Sequence, residues 1–385
     1  MISKVNYRLN DMLIFNFFMS MWILSIPFKN AIFQGSVFFM ILFFFYHLFK
    51  TKKVDILIEN LKETKYLALG FLFIALSMLV SNLLNPEYLR EKSWHITFMF
   101  IIRYGLIFVI LAYFYKLNFF SKKQLIITIS CSFILLLLTG LFQVIESPQI
   151  LLGEGIKGTL DYRNAFGLSM GMAFVFSLYL LNYQRNLALI LILLFVFFMI
   201  FSFSRSSWVA SFSSMIVFLI LHKKELKFNH LIYFLLFIVF IILLYFSFDS
   251  FQKRFHDLID GDSSNRFQIW SYTLDFIKEK LIFGYGIDSW LSLPNTFLNG
   301  HADAHNMILE ILIYTGIFGL ISCLFTIGTV LIKIILTKNY FLFTAATYFI
   351  VVTQFDFGAY GSKELLSFLT IFVFFVYSES FKAVK

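Results

Sequence analysis

The residues of this chain with the most chemical capacity are a few arginines and one His/Asp segment, each set against apolar sequence. Ser204-Arg205-Ser206-Ser207-Trp208 interrupts a stretch that is otherwise apolar from 187 to 221. The two halves make a helical hairpin with Arg205 at its tip, where the N–H groups opening the second helix and a guanidinium beside them form an anion site. An interfacial arginine beside an aromatic-belt tryptophan is the alternative. Arg266 follows three candidate N-caps, Ser263, Ser264 and Asn265, and so falls in the first turn of a helix. A positive side chain there opposes the helix dipole unless an anion is near; a solvated pair with Asp260 or Asp262 is the other reading. Arg103, in Phe-Ile-Ile-Arg-Tyr-Gly, lies nine residues into an apolar run. A charge at that depth costs about 3 kcal/mol even on a lenient insertion scale, so it faces a cavity or partner, or snorkels to the interface. Arg163, in Asp161-Tyr-Arg-Asn-Ala-Phe-Gly167, either joins an anion site or sits at the interface.

His301-Ala-Asp303-Ala-His305-Asn306 supplies the candidate base. Two histidines at i and i+4 share a helix face and could hold zinc, but the glutamate of a His-Glu-x-x-His site is missing and no third strong ligand follows. A histidine largely neutral near pH 7 is better read as a general base, with a structural capping role as the alternative. Asp260-Gly261-Asp262 imitates a metal-binding Asp-x-Asp, yet Gly in the middle and Ser-Ser-Asn after it describe a solvated turn. No metal and no cofactor is expected.

These residues need elements to hold them, and the composition says what kind. Of 385 residues, 60% are hydrophobic and 14% charged, where soluble domains run at about 45–50% and 25%; mean hydropathy is +0.83. An α-helical span needs about 20 apolar residues. Twelve such runs occur, with cores at 12–28, 31–49, 66–84, 94–115, 124–145, 165–182, 187–203, 206–221, 230–248, 304–332, 340–355 and 365–378. The expectation is an all-α polytopic membrane protein of about 12 transmembrane helices, a single integral membrane domain over 1–385. The first run has no small-residue cleavage site after it and reads as an uncleaved helix. Cys131 and Cys323 both lie in apolar runs, which leaves neither a disulfide framework nor a Cys-based zinc site.

With the N-terminus in the cytoplasm, the tails and the loops 50–65, 116–123, 183–186, 222–229 and 333–339 hold 18 Lys+Arg against 6 Asp+Glu. Excess cation on the cytoplasmic side supports that orientation, with both termini inside. The net charge of +9 is then topology, and needs no nucleic acid to explain it. Residues 249–303 form one long extracytoplasmic subregion between spans nine and ten. Phe267, Trp270, Leu274, Ile277 and Leu281 recur there at helical spacing and predict an amphipathic helix of about five turns.

Together, Arg-Asn-Ala-Phe-Gly at 163–167, Ser-Arg-Ser-Ser-Trp at 204–208, Arg266 with Trp270, Gly284-Tyr-Gly286, Ala304-His305-Asn306 and Gly316-Ile-Phe-Gly319 resemble the O-antigen ligase and polymerase superfamily of bacterial envelope glycosyltransferases. The resemblance runs from about 160 to 325. It implies transfer of a glycan from an undecaprenyl diphosphate carrier to a hydroxyl on the periplasmic side of the inner membrane, without metal. It further implies that Arg205 and Arg266, with Arg163 and Arg103, hold the diphosphate, that His305 is the base, and that Asn306 and Trp270 support it. The expected partners are the carrier-linked glycan, the lipid A core acceptor and membrane lipids. An O-antigen polymerase is the related alternative; a flippase or transporter is a third, disfavoured because the polar groups cluster at the outer ends of spans, away from the midplane.

Overall fold

A computed structural model describes residues 2–385 apart from 29, 182–183, 224–227, 262–264, 296–302, 356–359, 361, 379 and 382–385, and leaves the side chains of 2–8 and 228–237 aside. Among the described residues every regular element is helical. The helices are α1 Ile2–Leu24, α2 Asn30–Thr51, α3 Val54–Glu63, α4 Lys65–Leu84, α5 Ser93–Phe100, a π-helical segment Ile101–Leu106, and α6 Ile107–Lys116. There follow α7 Lys122–Glu146, α8 Arg163–Leu180, α9 Arg185–Phe201, α10 Arg205–Leu221, α11 Phe228–Ser247, α12 Asp249–Ile259, α13 Arg266–Glu279, α14 Met307–Thr337, α15 Tyr340–Val352 and α16 Lys363–Ser378.

Each of the twelve apolar runs is therefore helical. Among the described residues, five are long and apolar enough to cross a membrane: α2, α4, the α5–π–α6 segment, α7 and α14. Several others are shorter apolar helices, so the expected count of twelve spans is not matched by length alone. Two amphipathic helices fall where loops were expected: α3 within 50–65, and α12 at the start of 249–303. The expected helix at 266–281 ends at Glu279, after about four turns.

The chain divides into two compact units. One comprises Met1–Ser132, Trp270–Leu336 and Gly358–Lys385; the other comprises Phe133–Ile269 and Thr337–Phe357. Neither is contiguous in sequence, which is why no linker marks them. In the first unit Phe15 stacks on Phe114 at 4.0 Å in an aromatic core shared by α1, α2 and α6. α14 is broken at Gly316 (φ 65°, ψ −163°), and residues 281–286 pair with its backbone on both sides of the break. Tyr285 and Gly286 donate their N–H groups to Ile313 O and Tyr314 O at 2.7 and 3.0 Å, and Ile317 donates to Leu281 O at 2.8 Å. A Cβ on Gly284 would lie 2.6 Å from Ile313 O, and one on Gly316 would collide with the Ile282 carbonyl. The Gly-Tyr-Gly and Gly-Ile-Phe-Gly motifs thus serve close backbone packing. In the second unit α8, α9, α10 and α15 pack together, with Tyr348 of α15 lying against Gly171 and its hydroxyl donating to Leu168 O at 2.8 Å.

Within each unit, segments expected on one side of the membrane meet one another. Buried Lys116 pairs with Glu59 and Glu63 of α3 at 3.0 and 3.1 Å, and Lys50 with Asp11 at 3.1 Å. Towards the other end, Arg90 pairs with Asp288 at 3.5 Å and Lys280 with Glu87 at 3.1 Å. In the second unit Ser250 donates to Leu151 O at 2.6 Å.

Candidate active site

Four helices begin with an arginine, α9 with Arg185 and, at the motif positions, α8 with Arg163, α10 with Arg205 and α13 with Arg266; all four arginines lie in the second unit. None has an acidic residue in its first turn, so each helix start concentrates positive charge instead of offsetting it. Two of these starts are brought together. Ile156 donates its N–H to Phe201 O at 2.8 Å, and a Cβ on Gly167 would lie 2.6 Å from the Ser204 Cβ, so the first turn of α8 rests directly on the turn before Arg205. Arg163 donates from Nη1 to Glu154 O at 3.2 Å.

The turn before Arg205 is itself constrained. Phe203 has φ 54°, a left-handed conformation that costs a non-glycine residue about 1–3 kcal/mol and persists where its surroundings enforce it. Ser204 Oγ meets Ser206 Oγ at 3.1 Å and Ser207 Oγ at 2.9 Å, and Trp208 donates from Nε1 to Met199 O at 3.1 Å. α12 packs on this turn: Phe251 meets Trp208 edge-on at 5.4 Å, and the Arg254 guanidinium lies 5.9 Å from the Phe203 ring. Arg254 is a cation near the motif that the sequence reading missed; its signal was the amphipathic spacing of Phe251 and Phe255 around it. Asn265, also left-handed at φ 65°, accepts the Ile269 N–H at 2.9 Å and so opens α13 as expected, while Ser263 and Ser264 lie outside the described residues.

The first unit holds the candidate base. Asp303 Oδ1 accepts the backbone N–H of His305 at 2.7 Å and lies 3.0 Å from His305 Nδ1. The carboxylate thus stands close enough to Nδ1 to offset positive charge on the ring. His305 is left-handed at φ 49°, and Ala304 before it is fully buried. Trp270 Nε1 donates to Ala304 O at 3.0 Å, so α13 clamps the His305 segment. Asn306 acts as a cap: its Oδ1 accepts the N–H groups of Ile308 and Leu309 at 3.0 and 3.1 Å and opens α14. His301 lies outside the described residues. Asp260 and Gly261 form the end of α12, with Gly261 at φ 71°, as the turn reading requires; Asp262 is outside the described residues.

Arg103 sits in the π-helical segment, 5.9 Å from the Phe33 ring, which Lys363 approaches at 5.8 Å. It has an aromatic and cationic neighbourhood of its own. Glu310, one turn beyond Asn306 and 3% exposed, is a carboxyl that sequence reasoning passed over although it interrupts Met-Ile-Leu-Glu-Ile-Leu. Nearby in the chain, burial holds the half-buried Asp288 carboxyl above the ordinary carboxylate range, against the opposing pull of Arg90 and Lys92.

Residues 187–324, about a third of the chain, match the family model described as O-antigen ligase. Arg205, Arg266, Trp270 and His305 fall within the match; Arg103 and Arg163 fall outside it. No curated protein matches the chain.

Proposed function

We propose, proceeding from the chain's place in the O-antigen ligase superfamily, that it joins polysaccharide carried on undecaprenyl diphosphate to the lipid A core oligosaccharide at the periplasmic face of the bacterial inner membrane. The reaction breaks the bond between the anomeric carbon and the diphosphate oxygen and forms one from that carbon to an acceptor hydroxyl. His305 Nε2 takes the hydroxyl proton, and Asp303 holds the imidazole and stabilises the imidazolium as it forms. Arg205 and Arg266, with Arg163 assisting, carry the negative charge that develops on the departing undecaprenyl diphosphate. Attack opposite the leaving group inverts the anomeric centre. The observation that carries this reading is the Asp303–His305 pair at 3.0 Å, held from behind by Trp270.

The test is reconstitution in EDTA with carrier-linked glycan and either lipid A core or a second carrier-linked chain. Glycan on lipid A core is the expected outcome. Growth of the carrier-linked chain alone would make the protein an O-antigen polymerase, and activity that requires an added metal would overturn the metal-free mechanism.

A further inference from the structure

The first unit contains a cavity of about 530 Å³ unrelated to the residues discussed above. Its walls are Phe71 and Ile74 of α4, Phe100 and Ile102 around the π-helical turn, and Leu369 and Val373 of α16. Three threonines reach it, and all are satisfied within their own helices: Thr64 donates to Asn60 O, Thr326 to Ser322 O and Thr370 to Leu366 O, at 2.8, 2.8 and 2.9 Å. Buried water needs two to four polar partners, and this wall, with the threonine protons already engaged, is almost wholly apolar. Gly105 keeps the wall in place, because a Cβ there would strike the Phe71 ring. An apolar cavity of this size, open on one side, leaves its lining short of contacts unless hydrocarbon fills it.

The α3 side of the cavity indicates which hydrocarbon. Leu61 of α3 and Thr64 just after it belong to the lining, and their chain neighbours Lys62 and Lys65 are exposed. Val54, Ile58 and Leu61 stand on one face of α3, 46%, 49% and 42% exposed, while Ile56 and Asn60 are buried. Such a helix lies in the plane of a membrane surface with its apolar face in the acyl boundary. Glu59 and Glu63 share Lys116, and residues 50–65 with Lys116 hold six lysines against three acidic residues, so the local charge is positive. We propose that this cavity is a binding site for one acyl chain of an anionic phospholipid from the leaflet adjoining α3, with the headgroup phosphate held by Lys62 and Lys65.

The full-length protein is reconstituted in vesicles of phosphatidylethanolamine and phosphatidylglycerol containing a phosphatidylglycerol with a diazirine near the end of one acyl chain. After photolysis, labelled peptides are mapped. Label is expected on the segments holding Phe71, Ile102 and Leu369. Ala68→Trp and Leu369→Trp, which fill the cavity, should reduce that label about tenfold, since lost burial of about two methylenes is enough for such a change. Label at exposed Phe142 of α7, a site of general lipid contact, should stay constant. Lys62→Glu with Lys65→Glu should reduce cavity label without filling the space, which keeps the test valid if a tryptophan variant fails to fold. Equal labelling in the folded filled variants would overturn the proposal. So would a diazirine-bearing isoprenoid phosphate that labels the cavity while phosphatidylglycerol does not. Glycan transfer is not the readout, so the ligase reading and this site can fail separately.

Discussion

A neutral imidazole keeps one bare ring nitrogen that can take a proton, and at His305 the Asp303 carboxylate lies 3.0 Å from Nδ1, where it stabilises the imidazolium that forms. Positioned base catalysis contributes about 10² to 10⁴ in rate, so His305→Ala should lower turnover by that order. Activity of the unaltered protein should fall on the acid side as the imidazole protonates. A carboxylate beside an imidazole favours the imidazolium, so Asp303→Asn should move that acid limb to lower pH while also reducing turnover. Turnover against pH decides: an unmoved limb in Asp303→Asn would mean that the pair is structural, and a normal rate in His305→Ala would mean that another group is the base. The arginines answer to a different measurement. Arg205→Ala and Arg266→Ala should keep expression and membrane insertion but lose donor turnover severely. Lysine should rescue only partly, because it lacks the bidentate fork. Arg254→Ala, whose guanidinium lies over Phe203 behind the Arg205 turn, should fall between these variants and the unaltered enzyme. Full activity in the Arg205 or Arg266 variant would remove that residue from diphosphate binding, and full activity in Arg254→Ala would leave that side chain a packing role only.

At the scale of elements, the support for these residues comes from helix ends and from helices that the hydropathy does not announce. Trp270→Phe keeps the aromatic packing of α13 but leaves the Ala304 carbonyl without its indole donor. An orphaned buried acceptor costs about 1–3 kcal/mol, which here loosens the His305 segment. Turnover should fall while the KM for donor holds; a change in KM alone would argue against the clamp. Asp288, in the loop after α13, gives a pH test of the same region. Burial raises its folded-state pKa above the unfolded value, so its contribution to stability is fully present at low pH and is lost as pH rises through the folded pKa. Asp288→Asn removes that penalty and also tolerates the left-handed φ of 61°. The thermal midpoint of the variant should exceed that of the unaltered protein near neutral pH and converge with it in acid; a lower midpoint at neutral pH would make the Arg90 pair the dominant effect. The sequence made the apolar runs, the Arg266 helix and the His305 segment legible, because hydropathy and helical period are local. It did not make α12, the Gly316 break or the meeting of Arg163 with the Arg205 turn legible. α12 is short, with only a few apolar positions, and the other two depend on backbone contacts between segments far apart in sequence. Glu310 escaped notice because a single carboxyl in an apolar run looks from sequence like a tolerated interruption.

For the molecule as a whole, the proposed transfer depends on which membrane face carries the arginines and His305. Two independent lines bear on it. Cationic residues outnumber acidic ones threefold on the side read as cytoplasmic, and translocation disfavours such an excess on the outside. Within each unit, segments expected on a common side are joined by ion pairs and hydrogen bonds, as Lys116 is to α3 and Arg90 is to Asp288. The second line orders the loops relative to one another, and only the first assigns a face. A labelling experiment assigns it directly. In a background lacking Cys131 and Cys323, a cysteine replacing Asp262 should react with an impermeant thiol reagent added from the periplasm, and one replacing Asn229 should react only after the membrane is opened. Asp262 lies between α12 and α13, while Asn229 is in the first turn of α11, so the two positions are separated by one apolar helix. Equal labelling of both from outside would mean that α11 does not cross. The reverse pattern would put His305 and the arginines in the cytoplasm, where an acceptor on the outer face of the membrane could not reach them, and the proposed transfer would have to be abandoned.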